Sequence, residues 1–386
     1  MSYYLNNLSC ACALGATNEQ VYENALKGSQ EGMVFLEGDV PNKRIRFGMV
    51  PCELPPVKEG LDLRVNRLLV HAVSSLQGDI DRIVKKYGTK RIAIILGASN
   101  TGIDEAQRQV DEWIEKNEKP ESLDFSSISI GNVSEFLKNH LGIEGPSFVI
   151  STACSSATKA FASAKRFIES GVVDAAIVGG VDGRCRFAMN GFNALESLAK
   201  DMTKPLSAFR DGINLGEGVA LFIMEKEPLD SSSIILAGVG ESSDAYHMTS
   251  PHPDGAGAEV AMRAALADAQ MDASDIDHVN LHGTGTIAND SMELKAVSRL
   301  FGSNVVCSST KQLTGHCLGV AGAIEAALGW LMLKNGGIIP HVGDEIDPEL
   351  PQVLLAREDR TKRIKTFLSN SFAFGGSNAT LILKTV

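Results

Sequence analysis

The sequence predicts an α/β fold built from two similar halves. Apolar runs with strand character alternate with helix-like stretches along most of the 386 residues. A stretch rich in Pro, Asp and Ser at 225–233 (EKEPLDSSS) interrupts this alternation and is typical of a linker. Each side of this stretch contains strands, a helix after a polar turn and a late Gly-Gly pair, which indicates duplication of one α/β unit. We therefore expect two domains, residues 1–226 and 232–386.

The first half contains strand-like runs on either side of a helix. Residues 91–99 (RIAIILGAS) and 147–151 are apolar and β-branched, as in buried strands. Apolar residues then recur at spacings of three and four between Ala157 and Ile168, which predicts an amphipathic helix. Gly171 follows as a C-cap, and residues 172–180 (VVDAAIVGG) predict the next buried strand.

Cys154 lies at the turn between the strand at 147–151 and the helix that follows it. Unpaired N–H groups at the start of a helix point towards such a position. They favour the thiolate, which is the nucleophilic form of cysteine. A buried structural cysteine is the alternative, because free cysteine is among the most buried residue types.

Two histidines of the second half end a strand or a turn and are followed by small residues. His282 lies in VNLHGTGT, and His316 lies between a polar turn and a long helix rich in Ala, Leu and Gly. Small residues allow the backbone to approach a ligand closely, so both histidines indicate a pocket. Lys311 and Glu325 flank His316. For either histidine, a hydrogen-bonded core residue is the alternative.

Composition argues against several classes of function. The net charge of -11 argues against nucleic acid as a partner. No uncharged stretch is long enough for a membrane span, and the N-terminus does not resemble a signal peptide, so we expect a cytoplasmic protein. The seven cysteines form no pair of CxxC motifs, so neither disulfides nor a metal site is expected. The glycine-rich segments match no phosphate loop, so no nucleotide cofactor is expected.

Local basic clusters could still dock an acidic protein, whatever the net charge. The candidates are residues 40–47 (VPNKRIRF), Arg64 with Arg67, and Arg184 with Arg186. A solvated charged face is the alternative for each of them.

Taken together, the motifs resemble those of the β-ketoacyl-acyl-carrier-protein synthases, the condensing enzymes of fatty acid and polyketide synthesis. STACSSA (151–157) is similar to their nucleophile segment, and HGTGTIANDSMEL (282–294) to their first histidine motif. TKQLTGHCLGVAGAIE (310–325) resembles their lysine–histidine–glutamate motif. SSDAYHMTSPHPDGAG (242–257) and NSFAFGGSN (370–378) also look like family segments. The resemblance implies the thiolase-like fold, two similar α/β halves in a five-layered αβαβα arrangement, with dimerisation as the norm.

The resemblance also implies a reaction, the decarboxylative Claisen condensation of an acyl thioester with malonyl-carrier protein. Cys154 would hold the acyl chain as a thioester. The N–H donors of His282 and His316 would stabilise the enolate left when malonate loses CO2. Backbone N–H groups of Cys154 and Phe374 would hold the oxyanion that forms on the acyl group.

Further residues and partners follow from the same resemblance. Lys311 and Glu325 would set the protonation of the histidines. The hydroxyls of Thr249, Thr284 and Thr286 would hold the pantetheine arm. The partners would be an acyl carrier protein, loaded with acyl or malonyl groups, and a second subunit. That subunit would be an identical chain or a related ketosynthase-like protein.

The Cys–His–His set distinguishes this chain from synthases that start chains, which carry Cys–His–Asn, and from thiolases, which carry Cys–His–Cys. An elongating enzyme is the better interpretation. One departure lies in the gate motif (residues 372–376), where Phe-Gly-Phe-Gly-Gly becomes Phe-Ala-Phe-Gly-Gly. Alanine has fewer accessible φ values than glycine, so Ala373 indicates a stiffer or differently hinged gate around Phe374. The alternative is a negative φ at residue 373, where alanine is harmless.

Two alternative functions remain open. A partner subunit, the chain-length factor of iterative polyketide systems, lacks the nucleophile, and Cys154 argues against it. A Cys–His thioester hydrolase needs only Cys154 and His282. That hypothesis leaves His316 and Lys311 unexplained.

Overall fold

A computed structural model describes residues 2–58, 60–118, 125–357 and 363–386. The strands are β1 Tyr4–Ala11, β2 Met33–Val40, β3 Lys43–Gly48, β4 Ile92–Gly97, β5 Ser147–Ile150, β6 Ala175–Asp182, β7 Leu215–Gly216, β8 Gly218–Glu225, β9 Ile234–Ser243, β10 His278–Asn280, β11 Val306–Ser308, β12 Leu354–Leu355, β13 Thr366–Ala373 and β14 Ser377–Thr385. The helices are α1 Asn18–Lys27, α2 Arg64–Tyr87, α3 Ile103–Lys116, α4 Asn132–Leu141, α5 Ser156–Glu169, α6 Arg186–Ala194, α7 Ala256–Ala269, α8 Ile287–Phe301, α9 Lys311–Thr314 and α10 Ala321–Asn335.

The described residues form one sheet of 11 strands in which a single strand order occurs twice. The order β1-β8-β6-β4-β5 in the N-terminal half returns as β9-β14-β13-β10-β11 in the C-terminal half. The parallel and antiparallel pairings correspond as well. The halves join where Tyr4 and Leu5 of β1 pair with β9. The expected pair of similar α/β halves is therefore confirmed. The division into domains at residues 226 and 232 stays a prediction.

Helices cover both faces of each half and produce the five layers. Helices α2 and α4 pack on the outer face of the N-terminal half, and α7 and α8 cover the C-terminal half. Between the halves lie α5 and α10, which contact each other. From Ala321 to Leu333, α10 is buried around its whole circumference, which explains its apolar sequence.

Strand β4 shows why its sequence is apolar at every position. Ile92, Ile94 and Leu96 join the core beneath α2. Ala93 and Ile95 point the other way and join the core around α5 and α10. Successive side chains of a strand alternate between faces, and both faces of this sheet are covered by helices.

A smaller sheet, β2-β3-β7, reaches the region of the second histidine motif. Leu215 of β7 forms an isolated parallel bridge with His316. The N–H of His316 donates to the carbonyl of Asn214 at 2.7 Å, and the N–H of Gly216 donates to the carbonyl of His316 at 3.1 Å. This sheet therefore fixes the backbone that carries His316. None of the helices formed by the described residues is both long and apolar enough to cross a membrane.

Candidate active site

Cys154 lies in a tight turn between β5 and α5, as the sequence predicts. The preceding residue, Ala153, has a φ of 51°, in the left-handed region that residues other than glycine rarely adopt. The turn is held by Ser156, whose hydroxyl accepts from the N–H of Thr152 at 2.8 Å. Such a backbone persists only where its surroundings fix it, and strained residues of this kind cluster at functional sites.

The resting form of Cys154 differs from the sequence-based expectation. Burial raises the pKa of its thiol to about 11, although the charge of Lys311 and the backbone N–H groups of Phe374 and Cys154 itself oppose this. The expectation that the helix start favours the thiolate is therefore wrong here, because burial of the thiol outweighs the nearby donors. These two N–H groups are the ones that, according to the family resemblance, hold the oxyanion formed on the acyl group.

His316 contacts the nucleophile directly. Its Nε2 lies 3.0 Å from Sγ of Cys154. Its Nδ1 accepts a hydrogen bond from the N–H of Leu318 at 3.1 Å. Since Nδ1 is an acceptor in a neutral imidazole, Nε2 carries the proton and is the donor.

His282 follows β10 and is held by its backbone and its ring. Its N–H donates to Glu293 at 2.7 Å, and its Nδ1 lies 3.3 Å from Nζ of Lys311. The ammonium is a donor only, so the proton of this ring lies on Nε2. Burial lowers the pKa of both imidazoles far below the ordinary value, and the Lys311 charge lowers it further. Both histidines are therefore neutral N–H donors.

Lys311 and Glu325 form a buried ion pair behind His282. Nζ of Lys311 lies 2.5 Å from Oε1 of Glu325, and the two side chains are 2% and 3% exposed. Burial raises the pKa of Glu325, whereas the ammonium lowers it. The pair keeps a cation next to the His282 ring without leaving a net charge in the core.

The Cys154, His282 and His316 set has the ligand types of a zinc site. One donor atom from each residue lies within 4.8 Å of the others. In zinc sites, however, the second ring nitrogen of a histidine usually donates to an acceptor, which leaves a lone pair for the metal. Here Nδ1 of each ring faces a donor. The arrangement therefore suits an oxyanion better than a metal ion.

A cavity of about 270 Å³ connects these groups to the surface. Besides Cys154 and both histidines, it is lined by the three threonines that the sequence analysis selected: Thr249, Thr284 and Thr286. The hydroxyls of Thr284 and Thr286 lie 2.9 Å apart. The cavity also has an aromatic wall, where the rings of Phe192 and Phe374 are 5.8 Å apart.

The gate motif has a backbone that tolerates alanine. Ala373 has a φ of -110° and a ψ of 156°, an ordinary extended conformation. The positive φ angles occur at the glycines, 80° at Gly375 and 71° at Gly376. The expectation that Ala373 stiffens this loop therefore loses its physical reason in the observed conformation.

Sequence reasoning missed two buried carboxylates near the histidines. Glu293 of α8 accepts the N–H of His282 and, at 2.7 Å, the N–H of Gly283. Asp182, at the end of β6, accepts from the N–H of Val320 at 2.9 Å. The sequence did contain a signal for both, an acidic residue within an otherwise apolar strand or helix face. Acidic residues are rarely buried without partners, so such a position indicates a specific set of hydrogen bonds.

The arginines of the predicted basic clusters are paired within the chain. Arg184 contacts Asp39 at 2.7 Å, and Arg186 contacts Asp111 at 2.9 Å. Arg64 pairs with the buried Glu217, Arg67 with Asp62, Arg44 with Glu37 and Arg46 with Asp201. These arginines therefore share their charge with carboxylates of the same chain, and docking of an acidic protein on the clusters stays a prediction.

Comparison with known proteins agrees with this geometry. Residues 64–229 match the family model "Beta-ketoacyl synthase, N-terminal domain", and residues 234–344 match "Beta-ketoacyl synthase, C-terminal domain". The 3-oxoacyl-[acyl-carrier-protein] synthase 2 of Vibrio harveyi is 32% identical over 400 residues, covering 97% of this chain and 96% of that protein. The chain belongs to the β-ketoacyl synthase family. Members of this family are condensing enzymes of the acyltransferase type.

Two further relatives extend the comparison within the β-ketoacyl synthase family. Nodulation protein E of Rhizobium meliloti is 39% identical over 257 residues, a match that spans 64% of this chain and 63% of that protein. A solved structure of the ketosynthase ApeO in complex with its chain length factor ApeC, from Xenorhabdus doucetiae, contains a chain with a TM-score of 0.94. That chain is 40% identical, and the match covers 100% of the present chain and 98% of its own.

Proposed function

We propose that this chain is a 3-oxoacyl-[acyl-carrier-protein] synthase that elongates acyl chains in fatty acid or polyketide synthesis, including polyene synthesis. It would condense an acyl thioester held on Cys154 with malonyl-carrier protein and release CO2. One observation carries the proposal: a buried cysteine and two neutral histidines, both protonated on Nε2, meet in one cavity.

The first half-reaction is transfer of the acyl group. Sγ of Cys154 attacks the carbonyl carbon of the acyl thioester, and the pantetheine sulfur leaves with the proton of the thiol. The carbonyl oxygen becomes an oxyanion during the attack. The backbone N–H groups of Cys154 and Phe374 already point at this region and would donate to that oxygen.

The second half-reaction is decarboxylation and carbon–carbon bond formation. The malonyl group loses CO2, and the electron pair of the broken bond becomes an enolate. The Nε2–H groups of His282 and His316 would donate to the enolate oxygen as its charge develops. The enolate carbon then attacks the acyl carbonyl, and Cys154 leaves as a thiolate that takes a proton from solvent.

The buried ion pair explains why the histidines are suited to this step. Lys311 donates towards Nδ1 of His282, which keeps the proton on the Nε2 side, and Glu325 balances its charge. Thr249, Thr284 and Thr286 line the path to Cys154 and would hydrogen-bond the amides of the pantetheine arm.

The partners proposed are an acyl carrier protein and a second subunit, with a cytoplasmic location. The second subunit would be an identical chain or a related ketosynthase-like chain. The heterodimer is supported by the similarity to a chain of the solved complex between the ketosynthase ApeO and its chain length factor ApeC. The free thiol of Cys154 favours the catalytic subunit of such a pair.

Reconstitution tests this proposal against both alternatives. The purified chain would be incubated with acyl-loaded and malonyl-loaded carrier proteins, and products and acylated peptides analysed by mass spectrometry. We expect an acyl group on Cys154 and, with malonate, a 3-oxoacyl product. Free acid without malonate would indicate the thioester hydrolase. A chain that never acquires an acyl group would be a partner subunit.

A further inference from the structure

Asp182 is a buried carboxylate that the proposed reaction does not use. It ends β6 in the N-terminal half and is fully shielded from solvent. None of the ion pairs among the described residues includes it. A buried charge without a cationic partner is costly unless hydrogen bonds stabilise it. The hydrogen-bond partners of Asp182 therefore indicate its structural role.

Its hydrogen bonds join three segments of the chain. Oδ1 accepts from the N–H groups of Ser99 at 2.8 Å and Asn100 at 2.7 Å, in the loop after β4. It also accepts from the hydroxyl of Ser99 at 3.1 Å. Oδ2 accepts from the N–H of Val320 at 2.9 Å, in the C-terminal half. A carboxylate thus anchors the short segment between His316 and α10 to the other half of the molecule.

That segment is strained and tightly packed against Asp182. Leu318 has a φ of 53°, which leucine rarely adopts. At Gly319, a Cβ atom would lie 2.8 Å from Oδ2 of Asp182 and 2.8 Å from the carbonyl carbon of Ala98. Such a conformation persists only while its surroundings determine it.

The strained segment supplies the donor that faces Nδ1 of His316. The N–H that holds Nδ1 of His316 belongs to Leu318, two residues before Val320. If the Val320 anchor were lost, Leu318 could relax and its N–H would leave Nδ1. The ring could then carry its proton on either nitrogen, and the donor facing Cys154 would no longer be guaranteed.

We propose that Asp182 is a positioning residue that keeps the proton of His316 on Nε2 through the 318–320 segment. The importance of this for condensation rests on the proposed function, whereas the effect on the ring does not. Asparagine at 182 would retain an oxygen for the Ser99 and Asn100 donors. Its amide NH2 would face the N–H of Val320, so that contact would change from a hydrogen bond to two opposed donors.

The test compares Asp182→Asn with the intact protein by 15N NMR of labelled histidine, with His316→Ala to assign the signals. We expect the His316 ring nitrogens to shift from the Nε2–H pattern towards a mixture of both tautomers. Malonyl decarboxylation should fall about ten- to a hundredfold, and acyl transfer to Cys154 much less. A folded Asp182→Asn protein with His316 signals and half-reaction rates like those of the intact protein would overturn the proposal.

Two further variants keep the test decisive. Val320→Pro removes the N–H donor without changing Asp182, and the φ of Val320, -83°, is close to that of proline. The same N–H also reaches the carbonyl of Cys317 at 3.2 Å, so this variant removes that contact as well. It should reproduce the NMR change even if Asp182→Asn does not fold.

Asp290→Asn is the matched control, because Asp290 is equally buried but accepts from the N–H groups of Leu206 and Gly285. It should leave the His316 signals unchanged; a similar change there would mean that the effect is general loosening. If the intact protein showed no condensation activity, the proposed function would be wrong. The NMR comparison would still test whether Asp182 fixes the tautomer of His316.

Discussion

The two halves of the molecule use the same strand–turn–helix unit for different groups. In the N-terminal half, β5 leads through a short turn to α5 and places Cys154. In the C-terminal half, the strand at the same place in the sheet order, β11, leads to α10 and places His316. The connection is longer there, because α9 and a short 3-10 helix precede α10.

This difference in length decides which chemistry each turn supports. The short turn contains the positive φ of Ala153 and directs the N–H of Cys154 at Sγ, whereas the second N–H, that of Phe374, comes from the C-terminal half. The longer connection brings Lys311 and His316 from one segment, and the first turns of α10 add Glu325. Duplication of the fold therefore determines where the site lies. The length of the connection in each half determines which catalytic groups that half contributes to the site.

Burial acts on both halves in the same sense, since it favours neutral forms. It raises the pKa of Cys154 to about 11 and lowers the pKa of His316 well below its ordinary value. Lys311 and Glu325 balance each other in a buried ion pair beside His282. The resting site is therefore a neutral thiol facing neutral donors.

The largest effect should come from the N-terminal turn. Cys154→Ala should abolish condensation and leave the fold intact, because the small residue fits the turn but provides no nucleophile. Product formation with purified carrier proteins would be measured. Cys307→Ala is the control, since Cys307 is buried in β11 and does not line the cavity. More than trace condensation by Cys154→Ala would rule out the assigned nucleophile.

The equivalent change in the C-terminal half should separate the half-reactions. His316→Ala should slow malonyl decarboxylation by about two to three orders of magnitude, the usual loss for one preorganised oxyanion donor. Acyl transfer to Cys154 should slow much less. His278→Ala is the control, because that histidine bonds Ser308 away from the cavity. Equal losses in both half-reactions would mean that His316 activates the cysteine or supports the fold.

The two members of the buried ion pair should shift the pKa of the Cys154 thiol in opposite directions. Lys311 lowers the pKa of Cys154 and Glu325 raises it. Lys311→Met should therefore move the pH profile of Cys154 alkylation to higher pH, and Glu325→Gln should move it to lower pH. Each pH unit of displacement changes the thiolate fraction about tenfold at neutral pH. Rates of iodoacetamide labelling across pH measure this.

Stability must be followed in the same variants. Breaking a buried pair by removal of one partner costs about 3–5 kcal/mol. The double variant Lys311→Met with Glu325→Gln removes both charges and should recover much of the melting temperature. Displacement of both single-variant profiles in one direction would contradict the assigned electrostatics.

Local patterns in the sequence identified the parts of the site that a single segment encodes. The apolar run before Cys154 and the helix after it predict the turn, and the motifs around His282 and His316 predict the pocket. Matches to known motifs supplied Lys311 and Glu325. The thiolase-like layers came from the resemblance. The strand order was not predicted, because pairing such as that of β1 with β9 leaves no local periodicity.

The properties that sequence could not provide depend on distant residues. The thiol of Cys154 is neutral because of the core closed around it, which the helix start alone does not indicate. Arg184 and Arg186 resemble a docking patch in sequence, but Asp39 and Asp104 neutralise them across the fold. Asp182 contacts residues 83 and 138 positions away, so no short motif contains that interaction.

The smallest expected effect concerns the gate motif, which begins at the end of β13 in the C-terminal half. Ala373 has a φ of -110°, so glycine would gain no useful freedom in the folded state and would only add entropy to the unfolded chain. Ala373→Gly should therefore cost about 0.4–1 kcal/mol of stability and leave the acyl chain-length profile unchanged. Acyl transfer rates across a chain-length series, together with melting temperatures, measure both. Ala379→Gly in β14 is the control for the added entropy and the lost methyl group, because Ala379 is also buried but lies outside the gate motif. A wider chain-length range in Ala373→Gly but not in Ala379→Gly would show that the loop visits positive φ at residue 373 when it opens, and would restore the stiffer gate first expected from the sequence.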